Sequence, residues 1–181
     1  MQGQAVLSSA RLDNGDLPPA VARLRARILQ AARSGSIDDL LIPIQWNEVP
    51  PLFQPGQPRD FDPLAFLKRQ SFDGQGREML AILSAVFRSP HAVLRQGATQ
   101  SYVWPVFPAV PAPTPWPQQR LAPWTCVRFA DLQTSSPDGG PLVHRTAIGP
   151  DGTWHYFWTV ATGWPAPAPG SPMLAPGQPR R

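Results

Sequence analysis

A chain of 181 residues, 42% of them apolar and 15% charged, is long enough for one domain with its own core, and its charge is too sparse for repulsion to keep it unfolded. The net charge is +4, but the basic residues are 15 arginines and Lys68, scattered rather than gathered, so nucleic acid is not an expected partner. A lone cysteine, Cys126, excludes an internal disulfide, and no run approaches the roughly 18 consecutive apolar residues of a membrane span.

Residues 1–16, with Ser8, Ser9, Asp13, Asn14 and Gly15, read as a flexible segment that lacks the basic start and apolar run of an export signal. From that start the chain is expected in the cytoplasm; a signal lying upstream of it would place the chain in the periplasm. Pro18 and Pro19 open a helix over about 18–33, with Val21, Leu24, Ile28 and Ala31 on one stripe and Gly35 closing it. Ser36 and Asp39 have the spacing of a capping box, which predicts a short second helix stopped by Pro43. Trp46, Asn47, Glu48, Pro50, Pro51 and Phe53 then predict an extended loop wrapping the body. Asp62 before Pro63 starts a third helix, and Met79, Ile82, Leu83, Val86 and Phe87 define a fourth. Gly74 and Gly76 precede that fourth helix without the third glycine, lysine or preceding strand of a phosphate loop.

The second half changes to β periodicity. Residues 92–94 and 102–104 predict a hairpin, and the seven prolines within 105–123 predict an extended crossover, since proline forbids a central strand. Residues 126–130 are expected to form a third strand, and Pro137, Asp138, Gly139 and Gly140 a turn. Gly149, Pro150, Asp151 and Gly152 specify a type I turn with a glycine bulge. A three-residue loop pairing Gly149 with Thr153 would put His144, Thr146 and Ile148 on the face of Trp154, Tyr156 and Trp158. Arg145 and Ala147 would share the other face with His155 and Phe157. Six prolines from 165 onward mark a disordered tail over 165–181. The expected fold is α+β, with N-terminal helices packed on an antiparallel sheet of four or five strands from the C-terminal half, one domain over 17–164.

His91, His144 and His155 lack metal-ligand spacing, so no metal and no cofactor is expected. Cys126 with His144 or His155 and Asp131 supplies the residue types of a cysteine triad, but Cys126 sits in an apolar pattern that suits inert packing. Glu48 is the best single acid, because Glu78 starts a helix and Asp60 and Asp62 flank a cap. The aromatic residues stand out more: Trp46, Trp104, Trp116, Trp124, Trp154, Trp158 and Trp164, with Tyr102 and Tyr156, supply rings that either stack on sugars, bases or prolines or pack the proline-rich crossover and tail onto the sheet, the packing role being the more expected.

Four blocks resemble the shared blocks of an uncharacterised bacterial family often found with an export signal. They are Trp46, Asn47, Glu48, Pro50 and Pro51; Asp73, Gly74, Gly76, Arg77, Glu78, Met79 and Leu80; Tyr102, Val103, Trp104 and Pro105; and Ile148, Gly149, Asp151, Gly152, Trp154, His155 and Phe157. The resemblance covers about residues 17–160 and implies a single body but no activity.

Two functions are therefore expected to compete. The first is a binding or structural domain, envelope-associated, that presents Trp46, Tyr102, Trp104, Trp154 and Trp158 to an envelope glycan or a protein partner. The second is a small hydrolase of a cell-envelope polymer that uses Glu48 with His144 or His155, which requires those groups to converge.

Overall fold

The computed structural model describes residues 6–10, 17–106, 123–131 and 142–161. Strand β1 (Val6–Ala10) is followed by helices α1 (Pro19–Ser34), α2 (Leu41–Gln45), α3 (Pro63–Gln70) and α4 (Arg77–Arg88), then by strands β2 (Ala92–Gln96), β3 (Thr99–Trp104), β4 (Leu142–Ile148) and β5 (Trp154–Ala161). The four C-terminal strands form an antiparallel sheet against which the helices pack, so the fold is α+β. Val6–Ala10, expected within a flexible segment, instead adds a strand at the β2 edge and brings the sheet order to β1-β2-β3-β4-β5. The proline crossover beyond Val106, the turn at 137–140 and the tail lie outside the described residues.

Helix α1 buries Val21, Leu24, Ile28, Leu29 and Ala31 and ends on Gly35 at φ 76. From its side, Arg25 donates through Nε (2.9 Å) and Nη2 (2.7 Å) to the carbonyl of Phe87, placing a cation at the C-terminus of α4, where the helix dipole favours it. Ser36 makes no side-chain cap. A 3-10 turn (Ile37–Leu40) runs straight into α2, and Pro43 does not stop it: proline falls in the first turn of α2, where its missing N–H would have had no intrahelical acceptor. Asp62 caps α3 as expected, its Oδ1 accepting from Ala65 N at 2.9 Å.

Helix α4 buries Met79, Leu80, Ile82, Leu83, Val86 and Phe87. The glycines before it serve its N-terminus. Asp73 Oδ1 accepts from the Ser71 hydroxyl and from the amides of Gln75 and Gly76, while Ser71 Oγ accepts from Glu78 N at 3.1 Å. The Ser71 hydroxyl and those amides hold the Asp73 carboxyl below the usual carboxylate range. Glu78 accepts from Phe72 N and Phe129 N, tying two loops to the start of α4.

Two β expectations need correction. Residues 123–131 form two 3-10 turns (Pro123–Cys126 and Phe129–Asp131) rather than a strand, because β3 pairs directly with β4. Arg128 also closes a turn on Asp131 through Nε–Oδ2 (2.7 Å) and Nη2–Oδ1 (2.8 Å). The 149–152 turn forms, with Gly149 N donating to Thr153 O, and Ile148 stands opposite Trp154. A bulge then inserts one residue into β5, so that Ala147 faces Tyr156, Thr146 faces Phe157 and His144 faces Thr159. Beyond the bulge the expected faces are exchanged: Phe157, not Tyr156 or Trp158, joins His144 and Thr146 in the core.

Gly76 (φ 86) and Gly74 (φ 63) separate backbone strain from crowding, since a Cβ on Gly76 would lie 2.8 Å from Ile37 Cγ1 whereas one on Gly74 meets nothing within 4 Å. In urea unfolding, Gly74→Ala should cost about 1 kcal/mol and Gly76→Ala about 3 kcal/mol. Equal costs would remove Ile37 packing as the reason for Gly76.

Candidate functional site

Most of the aromatic residues singled out in the sequence lie in the core. Trp104 is 0% exposed, Trp154 1% and Tyr102 8%, so a ligand cannot stack on them in this structure. The Trp104 ring lies against Phe87 (5.3 Å between centroids) and His91 (5.4 Å). Trp154 packs edge-on to Phe53, and its Nε1 donates to Thr146 Oγ1 at 2.8 Å. Tyr102 and Trp104 share one face of β3, and Trp154, opposite Ile148 ahead of the bulge, is turned inward as well, which corrects their expected role as a binding surface. Trp158 is half-buried and stacks on Tyr156 (4.5 Å, 13° between planes). Trp116 and Trp164 lie outside the described residues, and Trp124 is described only as part of the Pro123–Cys126 turn.

No hydrogen bond or ion pair brings the acid and the histidines together among the described residues, and Glu48 is exposed. His144 is 4% exposed, its ring tilted against Phe157 at 5.0 Å between centroids, and its Nδ1 lies 3.2 Å from the carbonyl oxygen of Cys126. Since that oxygen only accepts, Nδ1 carries the proton. Burial, aided by the Arg128 charge, lowers the His144 pKa to about 4 against the opposing pull of the Cys126 carbonyl and Asp131. The structure does bring Cys126, His144 and Asp131 to one place, but not as a triad: Asp131 is clamped by Arg128, and burial pushes the thiol up to about 11. His155 sits at the turn instead. A Cβ on Gly149 would lie 2.9 Å from its Nε2, so the bare glycine makes room for the ring. That Nε2 is buried without a partner. Asp151 beside it is held below the usual carboxylate range by the amide of Thr153, then by the Thr153 hydroxyl and the His155 charge. Among the described residues no group of three or more His, Cys, Asp or Glu could hold a metal ion, and no helix is long and apolar enough to cross a membrane.

What the structure does present is a ridge. Leu41, Ile42, Trp46, Val49 and Leu52 are all exposed and lie on one stretch of chain, with Trp46 at 52%. The guanidinium of Arg27, on the outer face of α1, lies 3.4 Å from the Trp46 ring centroid, a cation–π contact that fixes the indole. Asn47 fixes the chain beneath it: Oδ1 accepts from Trp154 N at 2.7 Å, and Nδ2 donates to the carbonyls of Pro43 and Ile44 at the end of α2. Leu52 then pairs in parallel with β5, its N donating to His155 O (2.9 Å) and its O accepting from Phe157 N (2.8 Å). Phe53, next in the chain, is buried.

Just past that bridge lies a cavity of about 120 Å³, between residues 53–55, helices α3 and α4, Arg128, His144 and residues 157–159 of β5. It is not legible in the sequence, because its wall joins residues from six separate stretches. A second exposed apolar spot, Phe72 (74%) against Phe129 (68%), sits over the loops tied down by Glu78.

Comparison with family models, with curated proteins and with solved structures finds no match for this chain. The site is therefore read from its own geometry.

The lowered His144 pKa makes stability fall as pH falls. Unfolded imidazole takes up its proton near pH 6.5, whereas the folded one resists until about 4, so the contribution is fully present above 6.5 and lost towards 4. It amounts to about 3 kcal/mol over that window. Urea unfolding at pH 7 and pH 4.5 should show most of this loss, and His144→Gln should flatten the dependence; an unchanged slope in the variant would assign it to other groups.

Proposed function

We propose that this chain is a non-enzymatic protein-binding domain whose contact surface is the ridge of Ile42, Trp46, Val49 and Leu52. The observation that carries the reading is Trp46, large, half-exposed and held in place by Arg27 and by the Asn47 latch. A fixed, exposed aromatic among aliphatic neighbours has the make-up of an interface centre, and its small ordering cost favours binding. The exposed aliphatic neighbours Ile42, Val49 and Leu52 favour a polypeptide partner with apolar side chains to bury. Arg27 has no carboxylate partner among the described residues, so the matching segment carries an acidic residue beside an apolar one.

The hydrolase reading is less well supported, since no hydrogen bond or ion pair joins Glu48 to His144 or His155 among the described residues and His144 is buried and neutral. A photo-crosslinking residue at Val49, introduced in the native host, should give an adduct with a defined protein. Trp46→Asp should abolish that adduct while leaving the unfolding midpoint within about 1 kcal/mol of the original, as expected for a half-exposed side chain. Absence of an adduct, or one indifferent to Trp46→Asp, would overturn the assignment.

A further inference from the structure

The cavity beside β5 has a composition that the ridge does not explain. Phe53, Pro55, Phe66, Met79 and Phe157 give it an apolar lining, into which His144, Arg128 and Gln70 bring polar atoms. We infer that it is a binding site for a small uncharged molecule with one hydroxyl on an apolar body no larger than a single ring, a phenol or a small cyclic alcohol.

Size sets the first limit. An engineered apolar cavity of about 150 Å³ accepts benzene, so about 120 Å³ takes a molecule of ring size or slightly less. Charge sets the second. Arg128 enters the wall already paired with Asp131 through two hydrogen bonds, so the pair is close to neutral. His144 is neutral at physiological pH, because its burial disfavours the charged form. An anion would find no unspent positive charge and would face an imidazole lone pair; a cation would find no unspent carboxylate, since Asp131 is committed to Arg128.

Hydrogen bonding sets the third. Nδ1–H of His144 is committed to the Cys126 carbonyl, which fixes the tautomer and leaves Nε2 as a bare acceptor with no partner among the described residues. Nε2 is not among the fully buried unpartnered atoms, so solvent reaches it; an apolar molecule filling the cavity would strip that solvent, and a hydroxyl donor replaces it. The hydroxyl oxygen in turn has donors within the same wall: the Gln70 amide and Nη1 of Arg128, which the clamp on Asp131 does not use. A hydrocarbon would fill the space and leave Nε2 unmatched.

The test uses the full chain labelled with nitrogen-15 in its histidines, with the imidazole nitrogens followed by two-dimensional NMR during titration with phenol, toluene and benzoate. Phenol should move the His144 Nε2 resonance saturably towards the hydrogen-bonded position and leave His155 unmoved. Toluene should bind about tenfold more weakly, the equivalent of one hydrogen bond of about 1.4 kcal/mol. Gln54→Trp, at the rim of the cavity, should abolish the phenol shift without changing the unfolding midpoint. No movement of His144 with phenol, equal affinity for toluene, or preference for benzoate would each overturn the inference. Because the ridge is not involved, these outcomes are independent of the crosslinking result.

Discussion

Among the described residues strand β5 ends the sheet, and its outward backbone groups need partners that no further described strand supplies. The chain between α2 and α3 provides them. The carboxamide of Asn47 takes the Trp154 amide, and Leu52 takes one carbonyl and one amide of β5. Because Asn47 also donates to the end of α2, one side chain joins the helical half to the sheet half. Both the ridge and the cavity are hung on this latch: Trp46 immediately before it forms the ridge, and residues 53–55 immediately after it line the cavity.

The latch also accounts for the core around it. Phe53 is carried inward against Trp154, whose indole N–H is satisfied by Thr146, so a large ring with a polar atom is buried without an orphaned donor. Below it, His144 occupies a core position with its Nδ1–H given to Cys126 and its charge suppressed by burial. The same arrangement that makes Cys126 and His144 unsuitable for nucleophilic chemistry leaves an acceptor atom at a cavity wall.

Local signals were legible in the sequence where local physics decides. Asp62 before Pro63 capped a helix, the spacing from Met79 to Phe87 buried one face of α4, and Gly149 to Gly152 made the turn that the residue types required. The failures occur where a tertiary arrangement overrides a local rule. Pro43 was tolerated because the preceding turn shifted it into the first turn of α2. The bulge after Trp154 exchanged the faces of β5, which no alternation pattern contains. Of the five rings expected to bind a ligand, Trp46 is exposed because its neighbouring prolines keep it on a surface loop. Tyr102, Trp104 and Trp154 belong to strands whose inner face was recognisable only once the helices were placed. The cavity was not legible, since it depends on contacts between stretches far apart in the chain.

The central claim is that residues 47–52 are fixed to the outer edge of β5, and amide hydrogen exchange tests it residue by residue. The amides of Trp154 and Phe157 point to this edge, where Asn47 and Leu52 are their acceptors. The account predicts that both exchange slowly, and that Asn47→Ala releases Trp154 to fast exchange while the β4-paired amides stay protected. Exchange of Trp154 and Phe157 at the rate of an open edge strand in the unaltered chain would contradict it, and with it the placement of both the ridge and the cavity.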